Sequence, residues 1–314
     1  MELYIGKATP EKLDTLVHEK HIANSKIYDG ATLTEEELYT ADIINGFHIF
    51  IQKQLQTSEN INHILFKLLL KNPYVIIICD ELDNDIVIPT LTKYAQKVMH
   101  LQDNTILKNH KNTILCSFIR HGKTTGNLSK RYIGTTNEPL CLEGINLLKD
   151  RISRDIYPKA ELLYVSPLQR CIETSKLIYP SAHFEQCNAL RECDFGEFEN
   201  KNYKELQGNV NYQKWVDSNS TLPFPNGEDP TAFTKRCVEG FLFYIQNART
   251  YYQSTSTQPK AWTTFIVHGG TIMSIFSQLA YPKGDYFSFQ IDNGQGYLCE
   301  YNFNTQSLII FGEL

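Results

Sequence analysis

Residues 118–122 read Phe-Ile-Arg-His-Gly, an apolar run that stops abruptly at a guanidinium and an imidazole. Arg120 offers a bidentate fork that matches phosphate oxygens. His121, when neutral, offers a nucleophilic nitrogen, and Gly122 lets the backbone turn and come close to a ligand. Two further segments repeat the pattern. Val267-His268-Gly269-Gly270 ends another apolar run with an imidazole, and a helix follows the two glycines. Arg170 lies one turn into a helix that follows a third run. Free N–H groups and the dipole at a helix amino terminus also favour an anion. Brought together, these residues suit attack on a phosphoryl group.

Parallel strands would bring them together. Ile114–Ile119, Leu162–Val165 and Thr263–Val267 read as buried strands, and ligands of open α/β sheets lie beyond the carboxyl ends of such strands. Helices are expected over Leu140–Ile152, from Ser166 to about Ile178, and after Gly270 to about Ala280, with a terminal hairpin over 296–301 and 307–311. In Ser166-Pro167-Leu168-Gln169, Ser166 reads as the helix cap and Pro167 as the first helical residue. Upstream, Glu2–Ile5 and Tyr74–Cys79 read as strands, and Thr34–Gln54, Ile61–Leu70 and Thr90–Met99 as helices. Alternating strands and helices imply an α/β fold with a mostly parallel sheet. The polar stretch 101–113 marks a boundary between a domain over 1–110 and another over 111–314.

A chain of 314 residues with 42% hydrophobic and 21% charged residues has ample material for a core. A net charge of −5 disfavours nucleic acid or an anionic membrane as partner, so phosphate-binding charge must be local. No apolar run is long enough to span a bilayer, and no secretory signal is visible at the amino terminus. None of the eight cysteines forms a Cys-x-x-Cys pair. This favours a reducing cytoplasm and no structural metal.

Over residues 113–314 the chain resembles the histidine phosphatase superfamily, also called phosphoglycerate-mutase-like. Arg120-His121-Gly122-Lys123-Thr124 with Asn127 is similar to its opening motif, and Arg131-Tyr132-Ile133-Gly134 through Pro139-Leu140 and Gly144 to the stretch that follows. Ser166-Pro167-Leu168-Gln169-Arg170 with Glu173-Thr174 is similar to its second block. Leu190-Arg191-Glu192 with Phe195-Gly196 and Glu199 resembles the acid-bearing block. Pro225-Asn226-Gly227-Glu228 and Val267-His268-Gly269-Gly270 complete the order. The resemblance implies a three-layer α/β/α sandwich in which His121 becomes phosphohistidine. It implies that Arg120, Arg170 and His268 hold the phosphoryl oxygens, with Asn127 and Gly269 assisting, and that Glu192 is the general acid and base. Neither a metal nor another cofactor is implied. Asp194, Glu197 and Glu199 are expected to raise the Glu192 pKa by repulsion. Asn200 departs from the pattern, since many relatives carry glycine there.

The amino-terminal domain reads as a small, degenerate P-loop-like α/β unit. Gly6 and Lys12 keep the register of a phosphate-binding loop, but Glu11 and Leu13 replace its second glycine and its hydroxyl residue. Tyr74–Pro89 resembles a block of adenosylcobinamide kinase/guanylyltransferase, with Asp83 and Asp85 where that family has glycines. His18 and His21 do not fit its guanylyl-accepting histidine. The pairing of resemblances points to the α-ribazole phosphatase branch and to α-ribazole 5′-phosphate or adenosylcobalamin 5′-phosphate as the small-molecule substrate. A sugar-phosphate or broad-specificity phosphatase, a phosphoglycerate mutase and a pseudophosphatase scaffold stay open, as does a homo-oligomer.

Overall fold

A computed structural model describes residues 1–314 apart from 21, 23, 24, 57–59, 81–86, 110, 111, 219, 220 and 256–260. The chain divides into two compact units, Met1–Thr113 and, in the main, Ile114–Leu314. The boundary expected at 110/111, Asp83, Asp85 and His21 all fall outside the described residues.

The first unit holds strands β1 (Glu2–Ile5), β2 (Ile27–Asp29), β3 (Ile43–Asn45), β4 (Ile76–Cys79), β5 (Lys97–His100) and β6 (Ile106–Asn109), in the order β2-β3-β4-β1-β5-β6. All of its pairings are parallel except β5 with β6. Its helices are α1 (Pro10–Glu19), α2 (Glu35–Thr40), α3 (Phe47–Gln56), α4 (Ile61–Lys71) and α5 (Val87–Tyr94).

Two helix expectations fail here for one reason, tertiary pairing overriding local pattern. Over 34–54 the helix breaks at Ala41, the fully buried Ile43 and Ile44 enter the sheet, and Gly46 at φ +69° turns the chain into α3. Over 90–99 the helix stops at Tyr94, and Val98 joins the ladder opposite Leu3. The polar stretch 101–113 contains β6. The loop after β1 uses Gly6 at φ +125°, and the Lys12 ammonium donates to Leu101 O at 2.8 Å.

The second unit holds β7 (Thr113–Arg120), β8 (Ala160–Val165), β9 (Glu185–Gln186), β10 (Trp262–Val267), β11 (Ala280–Tyr281), β12 (Gly296–Asn302) and β13 (Ser307–Glu313), in the order β11-β13-β12-β7-β10-β8-β9. β7, β8, β9 and β10 pair in parallel, and β12–β13 is the antiparallel terminal hairpin. Helices α6 (Thr125–Leu128), α7 (Leu142–Ser153), α8 (Gln169–Ile178), α9 (Val210–Asp217), α10 (Pro230–Ser254) and α11 (Gly269–Leu279) surround it. α7 packs on α8 and α10 on α11. The fold is mixed α/β with mostly parallel sheets, as expected.

The 25-residue α10 has no counterpart among the expected elements. Its start signal is nonetheless present: Asp229 Oδ1 accepts from Thr231 N–H and Ala232 N–H, with Pro230 first in the helix. Phe118 lies inside the sheet against Phe265, Phe276 and Phe241, at ring-centre distances of 5.1, 5.0 and 5.4 Å. Such pairs contribute about 0.5–1.5 kcal/mol each beyond area burial. Phe118 and Phe265 belong to the two strands that lead into the histidines.

Candidate active site

Three strand ends build the site. Val267 pairs with Arg120 across β10 and β7, and Ile266 with Val165 across β10 and β8. The residues that follow therefore leave the sheet abreast. His121 N–H donates to Val267 O and Ser166 N–H to Ile266 O, each at 3.0 Å. The imidazoles of His121 and His268 meet edge to face, 5.1 Å between centres. Both residues are buried, at 4% and 0% exposure.

Main-chain and guanidinium partners decide both tautomers. His121 Nδ1 lies 2.7 Å from Gly122 O, which can only accept, so the proton sits on Nδ1 and the lone pair on Nε2. Arg170 Nε–H donates to His268 Nδ1 at 3.2 Å, so His268 carries its proton on Nε2 and donates to Ser166 Oγ at 2.7 Å. Burial, then the charges of Arg170 and Arg120, holds His121 well below the usual imidazole value. Burial, then Arg170, does the same for His268. Both rings are neutral near pH 7.

Ser166 is therefore not a helix cap. α8 starts at Gln169 with Leu168 at the cap position and no side-chain cap bond, because the Ser166 hydroxyl is engaged by His268. Arg170, fully buried, spreads its other donors over Thr136 O (2.8 Å), Gly134 O (2.9 Å) and Ile133 O (3.3 Å). Thr174, one turn on, accepts from Gly122 N–H at 3.0 Å.

Glu192 sits against the amino terminus of α11. Its Oε2 accepts from Gly270 N–H at 3.1 Å and its Oε1 from Cys193 N–H at 3.0 Å. Its pKa is raised, and the cause differs from the expected one. Burial raises it, opposed by those two N–H donors and by Arg170 and Arg120. Asp194, Glu197 and Glu199 take no part, and Glu199 instead accepts from Gly134 N–H, Thr136 N–H and Phe195 N–H. The paired glycines after His268 now have a reason. A Cβ on Gly270 would overlap Glu192 Oε1, and one on Gly269 would lie 3.2 Å from the Arg120 guanidinium. Asn200 adopts φ +56°, so the loop keeps the left-handed turn that glycine would take.

A cleft of about 1230 Å³ opens over these groups. Arg120, His121, Asn127, Glu192 and Gly269 line it, whereas Arg170 and His268 stand behind that lining. Trp215, Phe224 and Tyr286 also line it. Asn127 belongs to a reciprocal cap with Thr124: Asn127 N–H donates to Thr124 Oγ1, and Thr124 N–H to Asn127 Oδ1, both at 3.2 Å. The turn over 291–295 grips the Arg120-His121 backbone, and no motif marks it in the sequence. Arg120 N–H donates to Gln295 O, Gly294 N–H to Arg120 O, and Arg120 Nη1 to Ile291 O at 2.6 Å. Arg120 Nε is buried without a partner. Among the described residues no group of three or more His, Cys, Asp or Glu could hold a metal ion, and no helix is long and apolar enough to cross a membrane.

Residues 116–312 match the model of the histidine phosphatase superfamily, branch 1. The chain belongs to that superfamily. The phosphatase is 26% identical over 182 residues to the adenosylcobalamin/alpha-ribazole phosphatase of Escherichia coli, spanning 56% of this chain and 84% of that one. The alpha-ribazole phosphatase of Shigella flexneri superposes with a TM-score of 0.50 at 24% identity, covering 63% of this chain and 95% of that one. The phosphoserine phosphatase of Entamoeba histolytica does so at 0.51 and 22%, covering 64% and 96%. These two structures establish a shared fold, and their names differ in substrate.

Proposed function

We propose that the phosphatase hydrolyses a phosphomonoester through a phosphohistidine on His121. The observation that carries this reading is a neutral His121 with its Nε2 lone pair free, edge to face with His268 and flanked by Arg120 and Arg170. His121 Nε2 attacks phosphorus, the bond to the leaving oxygen breaks, and protonated Glu192 gives that oxygen its proton. Water then attacks the phosphohistidine, Glu192 takes the proton back, and the P–N bond breaks to release phosphate. Arg120, Asn127 and the Gly269 end of α11 contact the phosphoryl oxygens from the cleft wall. Arg170 adds its charge from behind, and His268, with its N–H given to Ser166 Oγ, holds Arg170 Nε in place. The partnerless Arg120 Nε supports this, because a buried donor left unpaired is costly unless an acceptor joins it.

The substrate we infer is α-ribazole 5′-phosphate or adenosylcobalamin 5′-phosphate. The name of the Escherichia coli relative and the size of the cleft support it, since about 1230 Å³ exceeds what a small phosphomonoester fills. Beyond its charged floor the cleft is walled by Trp215, Phe224, Phe233, Met273 and Phe287, which suits a large aromatic leaving group. Phosphate release from α-ribazole 5′-phosphate, sugar phosphates and phosphoserine should differ, with kcat/KM at least about 10-fold higher for the first. Preference for a sugar phosphate would reject the assignment, and isomerised product without free phosphate would indicate a mutase.

The pH profile tests the acid. Proton donation needs Glu192 protonated, so kcat should fall as pH rises through its elevated pKa. It should fall again at low pH, where His121 protonates below its depressed pKa. Glu192→Gln should lower kcat roughly 10²–10³-fold and abolish the alkaline limb. Gly270→Ala, which pushes the carboxyl off its seat, should lower kcat about 10²-fold with the thermal midpoint little changed. Wild-type kcat in that variant would remove Glu192 from the proton transfer.

For residues 1–110 we propose a shortened relative of adenosylcobinamide kinase/guanylyltransferase that no longer transfers nucleotide, ending near 110. The glycine turn between β1 and α1 supports the ancestry. The Lys12 ammonium, placed on Leu101 O, supports the loss. Eight unpaired thiols support the cytoplasm as compartment.

A further inference from the structure

We infer that Asn293 is a positioning residue that aims the Asn127 amide at the phosphoryl group, an inference that rests on the phosphohistidine reading above. Asn293 lies in the turn over 291–295 and is 8% exposed. Its Nδ2 donates to His121 O at 3.1 Å and to Asn127 Oδ1 at 3.2 Å.

Main-chain groups decide how both amides point. A carbonyl oxygen only accepts, so the end of the Asn293 amide facing His121 O is the NH2. A backbone N–H only donates, so the end of the Asn127 amide facing Thr124 N–H is the oxygen. The two assignments agree, because the Asn293 NH2 then meets the Asn127 oxygen. With two donors on its oxygen, Asn127 is left with its NH2 for the cleft that it lines. A carboxamide free to rotate would offer phosphate an oxygen half of the time, and like-charged lone pairs would then face each other. Asn293, with Thr124 N–H, removes that orientation. Through the same NH2 it also holds the carbonyl of the nucleophile, so one side chain ties the attacking residue to a residue that receives the phosphoryl group.

A double-mutant cycle on the full chain tests this, with orthovanadate as the probe because it competes for the phosphoryl position. Asn127→Ala should raise the vanadate inhibition constant about 10-fold, the loss of one hydrogen bond to a charged group. Asn293→Ala should raise it about as much, while in the Asn127→Ala background it should add less than two-fold. Multiplicative effects of the two substitutions would overturn the inference and leave the phosphohistidine reading intact. An inhibition constant unmoved by Asn127→Ala would overturn both the inference and the place of Asn127 in that reading. If Asn293→Ala does not fold, Asn293→Ser, which keeps a short donor near His121 O, carries the same cycle. A thermal midpoint common to all variants shows that the coupling belongs to the site rather than to global stability.

Discussion

Alanine in place of His121 is expected to lower phosphate release by roughly 10⁴-fold or more, because the ring nitrogen whose lone pair is free at the cleft floor is lost. His121 Nδ1 is committed to Gly122 O, and both nitrogens of His268 are committed to Arg170 and Ser166. His268 therefore cannot substitute for it. The variant should remain folded, since the main-chain bonds from His121 N–H to Val267 O and from Gly294 N–H to Arg120 O do not involve the ring. Two measurements check the expectation: release of phosphate at saturating substrate, and trapping of acid-labile protein-bound phosphate after rapid mixing. Wild-type trapping in the alanine variant would mean that a different residue is phosphorylated.

Arg170→Met should be nearly as damaging, and in two ways. Activity should fall about 10³-fold, as when a preorganised positive charge near the developing charge is removed. Stability should fall by about 3 kcal/mol, because Thr136 O, Gly134 O, Ile133 O and His268 Nδ1 all lose a donor inside the protein. Arg170→Lys should restore little, as one ammonium cannot span partners that a planar fork reaches. The pH profile separates the electrostatic part from the packing part. Arg170 helps to depress the His121 pKa, so without it His121 protonates at a higher pH and the acidic limb moves up. A methionine variant with normal kcat/KM and an unmoved acidic limb would exclude Arg170 from the chemistry and leave it a purely structural role.

What the sequence revealed depended on how local the signal was. Arg120, His121, His268 and Arg170 were legible because each sits within a turn of an apolar strand, and strand ends in a parallel sheet converge. Glu192 has no such mark, and only its resemblance to a family block picked it out. Ser166 misled: serine before proline reads as a cap, and nothing nearby in sequence shows that a histidine 102 positions on engages its hydroxyl. The turn over 291–295 was invisible, because its work is done by main-chain groups and one asparagine. In the amino-terminal unit Val98 and Ile43 look helical in their local setting and become strands only when β1 and β4 are there to pair with them. Asn200 shows the reverse, where a departure from pattern still takes a positive φ, which asparagine tolerates.

The proposed reacting groups and much of the cleft wall hang from different parts of the molecule. Arg120, His121 and His268 are spaced by a strand ladder whose register cannot slip by one residue without turning every side chain over. Trp215, Phe233 and Met273 come instead from helices α9, α10 and α11. Substitutions along α9 and α10 can therefore reshape which alcohol is accepted, whereas the first turn of α11 is tied to Arg120 and Glu192 through Gly269 and Gly270. A lineage carrying this sheet is free to diversify its diet without reinventing its chemistry.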